Sequence, residues 1–135
     1  MKKNQNGFTL IELVMVIVIL AILGAVAIPQ FVNLQGEAQL ANETAVAGGV
    51  RAGILTYFID PARGNQQTYP LFLDPVALNT PCTAAVPCFA LILTQGGITD
   101  QWQKLNTLTT YRSSVNGTNV WTYTPATGNF QKTTN

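Results

Sequence analysis

Few side chains in this chain could do chemistry, and those few are far apart. There is no histidine, so the commonest general base and the commonest transition-metal ligand are both missing. Beyond the long N-terminal helical stretch the acids are Asp60, Asp74 and Asp100, too scattered for paired acid–base work. No Gly-rich phosphate loop and no nucleophile–base pair can be read. Asp60-Pro61 and Asp74-Pro75 read as a helix stop and a turn initiator. Cys82 and Cys88 are the two cysteines. Their C-x5-C spacing lacks the C-x2-C form of redox and zinc motifs, and no other Cys or His completes a metal site. Catalytic residues, metal and cofactors are therefore all expected to be none. The exception to this blandness is Glu12, a carboxylate one turn inside a run from Phe8 to Ile28 whose only other polar side chain is Thr9.

That run must be positioned by a helix. At about 1.5 Å per residue it makes a rod of roughly 30 Å, one hydrocarbon thickness. An ionised Glu in hydrocarbon costs ~2.5 kcal/mol or more unless it is paired, so such a residue reads as functional. Lys2 and Lys3 precede the run, and positive charge ahead of an apolar span keeps that end cytoplasmic. The region beyond the span then lies outside the cytoplasm, where disulfides persist. Cys82 and Cys88 read as a bridge closing a small loop, worth about 2 kcal/mol, with two buried free thiols as the alternative.

The polar head, Gly7, Phe8-Thr-Leu-Ile-Glu12 and the long apolar helix resemble the signature of type IV pilins and type II secretion pseudopilins. The resemblance is tight over residues 2 to about 36, and Ala27-Ile-Pro-Gln-Phe-Val-Asn-Leu-Gln35 looks most like pilins of the MSHA type. It implies cleavage by prepilin peptidase between Gly7 and Phe8, N-methylation of the new Phe8 amine, and a role for Glu12 in recruiting incoming subunits. It also implies an assembly ATPase and platform protein as partners, and a Gly24-to-Pro29 segment that melts when subunits pack. A simple bend at Pro29 is the plainer reading of that segment. Cutting after Gly7 creates a cation four residues before Glu12, which pairs either with its own amine or with that of an axially displaced neighbour. A secretory signal peptide ending at Ala25-Val26-Ala27 is the main rival, although the run is too long for one and carries an acid. An ordinary single-span anchor explains the length but neither Gly7 nor Glu12.

The 135 residues suffice for one span and one small domain. Lys+Arg is 7 and Asp+Glu is 6; without Lys2 and Lys3 the balance is −1, no footprint for nucleic acid. After Pro29 the pattern turns amphipathic. Phe31, Leu34, Ala38, Ala41, Ala45, Gly48/Gly49, Ala52, Leu55 and Phe58 recur at steps of three and four, which predicts one stripe covering the C-terminal domain. Asp60-Pro61 ends the helix. Residues 60–107 read as a connecting region. Within it Tyr69–Leu73 is a short edge strand or an irregular packed segment, Cys88–Leu93 is a strand or one helical turn, and Gln95-Gly96-Gly97 is a turn.

Asn116-Gly117 is a strong hairpin signal. Two-residue closure there pairs Arg112 with Trp121 and Thr110 with Tyr123, and the turn at Pro125–Gly128 sets Phe130 opposite Tyr123. Leu108, Trp121, Tyr123 and Phe130 would then share the face on the helix, with Tyr111, Val115 and Val120 competing from the other side. Arg112 over Trp121 would be a cation–π pair. The aromatic residues read as core and interface. Asn42-Glu-Thr44 and Asn116-Gly-Thr118 match a glycosylation sequon, the second already explained as a turn. The calcium site of some pseudopilins is not expected, since no Asp or Glu follows Asp100.

The expected fold is α+β, a pilin fold: one long N-terminal helix packed against a small antiparallel β-meander. The expected divisions are a leader at 1–7, a transmembrane and assembly helix at 8–28, an amphipathic half at 29–59, the connecting region at 60–107 and a three-stranded meander at 108–135. The expected function is structural rather than enzymatic: a homo-oligomeric filament subunit for adhesion or motility. It would wait in the bacterial inner membrane with its N-terminus cytoplasmic and then enter an extracellular pilus. A type II secretion pseudopilin in a periplasmic pseudopilus is the alternative, and a minor tip pilin with a binding role the next.

Overall fold

A computed structural model describes residues 7–63, 67–113 and 119–133 of the chain, without the side chains of 32, 33 and 63. The chain divides into two compact units, Met1–Ala38 and Gln39–Asn135. One helix, α1 (Leu10–Ile59), contributes to both. It runs unbroken through Pro29, although proline supplies no N–H to the carbonyl four residues earlier. It stops at Ile59, where Asp60-Pro61 ends the helical backbone as expected; the Asp60 carboxylate then accepts the Ala62 N–H at 3.0 Å, and a 3₁₀ turn follows at Pro61–Arg63.

In the first unit the apolar side chains from Phe8 to Phe31 face outward with scarcely a neighbour. In the second, α1 buries Glu43, Ala47, Val50, Gly53 and Ile54, with Val46 and Tyr57 half-buried beside them. This corrects the expected stripe. Ala41, Ala45, Gly48, Ala52 and Leu55 are exposed. They are offset by two residues from the buried set, and at about 100° per residue that is the opposite face. Both sets recur at steps of three and four; the bulk of Val50 and Ile54, rather than a count of apolar positions, separates them. Gly53 is required for close approach, because a Cβ there would sit 2.4 Å from the Ile92 carbonyl oxygen.

The sheet is antiparallel in the order β1-β2-β3-β4. The strands are β1 (Trp102–Lys104), β2 (Thr110–Ser113), β3 (Val120–Thr124) and β4 (Asn129–Thr133). The meander thus has four strands, not three, because Trp102–Lys104 in the expected connecting region joins it. The outer edge of β1 is covered by the segment before the first cysteine: Thr80 O accepts from Lys104 N at 3.0 Å, and Trp102 O accepts from Cys82 N at 2.8 Å. Covered edges do not recruit stray strands.

The β3–β4 register sets Tyr123 opposite Phe130, as expected. The β2–β3 register is shifted by one residue, pairing Arg112 with Val120, Tyr111 with Trp121 and Thr110 with Thr122. A slip of one exchanges the two faces of a strand. Tyr111 is therefore buried and Leu108 is 57% exposed. The Asn116-Gly117 turn and Val115 lie outside the described residues.

Among the described residues six aromatic rings are buried in the core, Phe89, Trp102, Tyr111, Trp121, Tyr123 and Phe130. Phe89 lies 4.5 Å from Tyr111, 5.5 Å from Trp102 and 5.7 Å from Phe130, and Trp121 stacks on Phe130 at 5.3 Å. Tyr69–Leu73 is irregular, with Leu73 buried and Tyr69 stacked on Phe58 at 4.5 Å. Residues 89–92 make a turn closed by Phe89 O accepting from Ile92 N and Leu93 N. The Gln95–Gly97 stretch reverses the chain with both glycines at positive φ, bringing Cys88 and Ile98 into mutual backbone hydrogen bonds.

Candidate assembly site

Gly7, Phe8 and Glu12 come together at the start of α1. Gly7 has nothing within 4 Å of where a side chain would be, and Phe8 is 85% exposed. Thr9 is the N-cap. The Glu12 N–H donates to the Thr9 hydroxyl at 3.3 Å, while the Glu12 Oε2 accepts from Thr9 N at 2.8 Å and from the Thr9 hydroxyl at 2.7 Å. This reciprocal arrangement is a capping box, which satisfies two donors the first helical turn leaves free. The Thr-x-x-Glu spacing was a visible signal of it. Glu12 is thus not an acid without a partner: before any amine is supplied, it is held by its own Thr9 and favoured by the helix dipole.

Gly24 and Pro29 are further down α1. A methyl group added at Gly24 would meet nothing within 4 Å, and Pro29 is exposed. Cys82 and Cys88 belong to the second unit, where their sulfurs are bonded. Among the described residues no three His, Cys, Asp or Glu side chains group to hold a metal.

Two buried polar clusters hold the second unit together, and the sequence reading missed both. Glu43, on the inner face of α1, accepts from Trp121 Nε1 at 2.6 Å and from Asn119 Nδ2 at 2.8 Å. Two turns on, Arg51 Nε donates to the Phe130 carbonyl at 2.9 Å. The Arg51 guanidinium lies 5.7 Å over the Trp121 ring, so the cation–π partner is on the helix and not at Arg112. The second cluster is Asp74 and Lys104. Both are wholly buried, and Lys104 Nζ donates to Asp74 Oδ1 at 2.7 Å. Oδ1 also accepts from Val76 N, as a turn initiator would, and Oδ2 accepts from Phe89 N, each at 3.1 Å. Asp74 is thus more than a turn residue. Lys104 sits in a three-residue strand whose charge disguised it as surface.

The exposed face of α1 has its own order. Ala41, Ala45, Gly48, Ala52, Leu55 and Ile59 alternate steps of four and three and all face outward. That is the alternating spacing found along helix–helix seams.

Residues 2–28 match the family described as the prokaryotic N-terminal methylation motif. A type IV major fimbrial protein of Dichelobacter nodosus is 42% identical over 64 residues, 47% of this chain and 41% of that one. The type IV narrow pilus major component of Thermus thermophilus is 56% identical over 72 residues, 53% of this chain and 61% of its own. Over its N-terminal half the chain is similar to type IV pilins. A type IV major pilin of Neisseria gonorrhoeae is also similar, 38% identical over 60 residues, 44% of this chain and 36% of that pilin. The match spans between about a third and three fifths of these pilins' lengths. No solved structure matches the chain significantly.

Proposed function

We propose that this protein is a type IV pilin, a structural subunit of a type IV pilus-like filament serving adhesion or motility. It is cut by prepilin peptidase between Gly7 and Phe8, methylated at Phe8, and polymerised through α1 by a platform protein and ATPase. Before assembly it waits in the inner membrane, N-terminus cytoplasmic. The observation that carries this reading is the exposed, apolar start of α1 with a single carboxylate, Glu12, fixed in the first turn. Apolar side chains at that density need lipid or other helices around them. The outward seam from Ala41 to Ile59 offers close helix–helix approach further along. Glu12, already oriented by Thr9, adds the amine of a neighbour to its partners once subunits are in register, with the Gly24–Pro29 segment able to loosen as they pack. The pilus names of the relatives favour a surface fibre over a periplasmic pseudopilus.

Two Glu12 variants test this. Gln keeps the capping box, which accepts Glu or Gln, but removes the charge; Ala removes both. Both variants are expected to insert in the membrane and to form no fibres visible by negative-stain microscopy. Normal fibres from Glu12→Gln would overturn the charge-pairing role. Secretion loss without long fibres on deletion of the wild-type chain would select the pseudopilin reading.

A further inference from the structure

Assembly through α1 makes no use of the buried Asp74–Lys104 pair. Charges taken from water carry desolvation costs of about several kcal/mol each, repaid only by good geometry. Here the geometry is also that of two groups poised to react. The Val76 and Phe89 N–H groups hold the carboxylate by Oδ1 and Oδ2, which fixes its carbon before the Lys104 amine. Beside them lies the Tyr111 hydroxyl, buried and without a hydrogen bond of ordinary geometry, on a ring 5.7 Å from Lys104 Nζ. Burial, first, and the nearby Asp74 carboxylate keep that hydroxyl protonated by pushing its pKa up.

We propose that Lys104 and Asp74 condense after folding into an intramolecular amide. Lys104 passes one ammonium proton to Oδ1 along their hydrogen bond, and the neutral amine attacks the Asp74 carboxyl carbon. The Nζ–Cγ bond forms while charge gathers on Oδ2, where the Phe89 N–H receives it. A second amine proton reaches Oδ1 by way of the Tyr111 hydroxyl, the Cγ–Oδ1 bond breaks, and one water leaves. An ammonium and a carboxylate become a neutral amide and water, with no oxidant or other reactant. The product removes both charges from the core and ties Asp74 covalently to β1, a separation of 30 residues.

The test is intact-mass spectrometry of the full-length protein purified in detergent, followed by peptide mapping, and it does not depend on polymerisation. The expected result is a chain lighter by one water than its disulfide-bonded sequence. Mapping should give a branched peptide joining the Asp74 and Lys104 segments, with no tryptic cleavage at Lys104. Lys104→Met and Asp74→Ala should restore the full mass. Tyr111→Phe keeps the ring and should slow appearance of the linked species after refolding by on the order of a hundredfold. Folded wild-type protein with Asp74 and Lys104 separate after prolonged incubation would overturn the proposal, as would a water loss mapped to other residues. Linkage of Tyr111→Phe at the wild-type rate would overturn the relay.

Discussion

The two units of this chain treat apolar surface in opposite ways. From Phe8 to Phe31 large aliphatic side chains stand exposed, while from residue 39 onward Val50, Ile54, Leu73, Phe89, Tyr111 and Phe130 are sealed almost completely. The first unit is a helix by virtue of its cap and its sequence, and its side chains have their energetic use elsewhere. The second draws its stability from its own core, from two buried polar clusters and from a disulfide. Along α1 the division is repeated in miniature, with one face of residues 41–59 facing inward and the other facing outward. The two halves of one helix therefore carry separable tasks, and substitutions should separate them.

The largest effect expected is on the second unit alone. Lys104→Met strands the Asp74 carboxylate in the core and should cost ~3–5 kcal/mol, read as a large fall in thermal midpoint with membrane insertion unchanged. Replacing both cysteines by serine should cost about 2 kcal/mol from the loop released, measured by denaturant unfolding. The sharpest contrast lies between two glycines of α1. Gly53→Ala drives a methyl into the Ile92 backbone and should destabilise the second unit by ~1–3 kcal/mol. Gly48→Ala meets nothing within 4 Å and should stabilise the helix by ~0.5–1 kcal/mol while thinning the fibres if the outward seam packs closely. Equal effects at Gly48 and Gly53 would erase the distinction between the faces.

The smallest effect appears only in strong alkali. Burial, and then the neighbouring Tyr57 and Tyr69, push the Tyr123 pKa from 10.0 to about 12. A group whose folded pKa is raised stabilises fully below its unfolded value, so stability should hold to about pH 10 and decline between there and pH 12. Phenolate absorbance should follow that decline, and Tyr123→Phe should make it shallower, the buried Tyr111 hydroxyl contributing in the same direction.

Much of this was legible in the sequence. The long apolar helix and the acid in its first turn, the helix stop at Asp60-Pro61, the Pro125–Gly128 turn and the cysteine bridge were all read from residue type and spacing. The inward stripe was not, because Ala and Gly satisfy a helical period on either face and only side-chain volume breaks the tie. The β2–β3 register failed because one residue more or less in a loop exchanges faces without altering the alternation of Thr110–Ser113. β1 was missed because three residues are too few to show a period and one of them is a lysine. Asp74 and Lys104, 30 residues apart, have no local signature at all. Thr9 and Glu12 did have one, and the capping box was there to be seen.

That cap has a consequence for the life of the molecule. Thr9 and Glu12 both follow the Gly7–Phe8 bond, so removing the head takes no atom from the lock that starts the helix. The helix itself begins at Leu10, beyond that bond. On the proposed route to a fibre, an enzyme cutting there would leave the start of the helix as it found it.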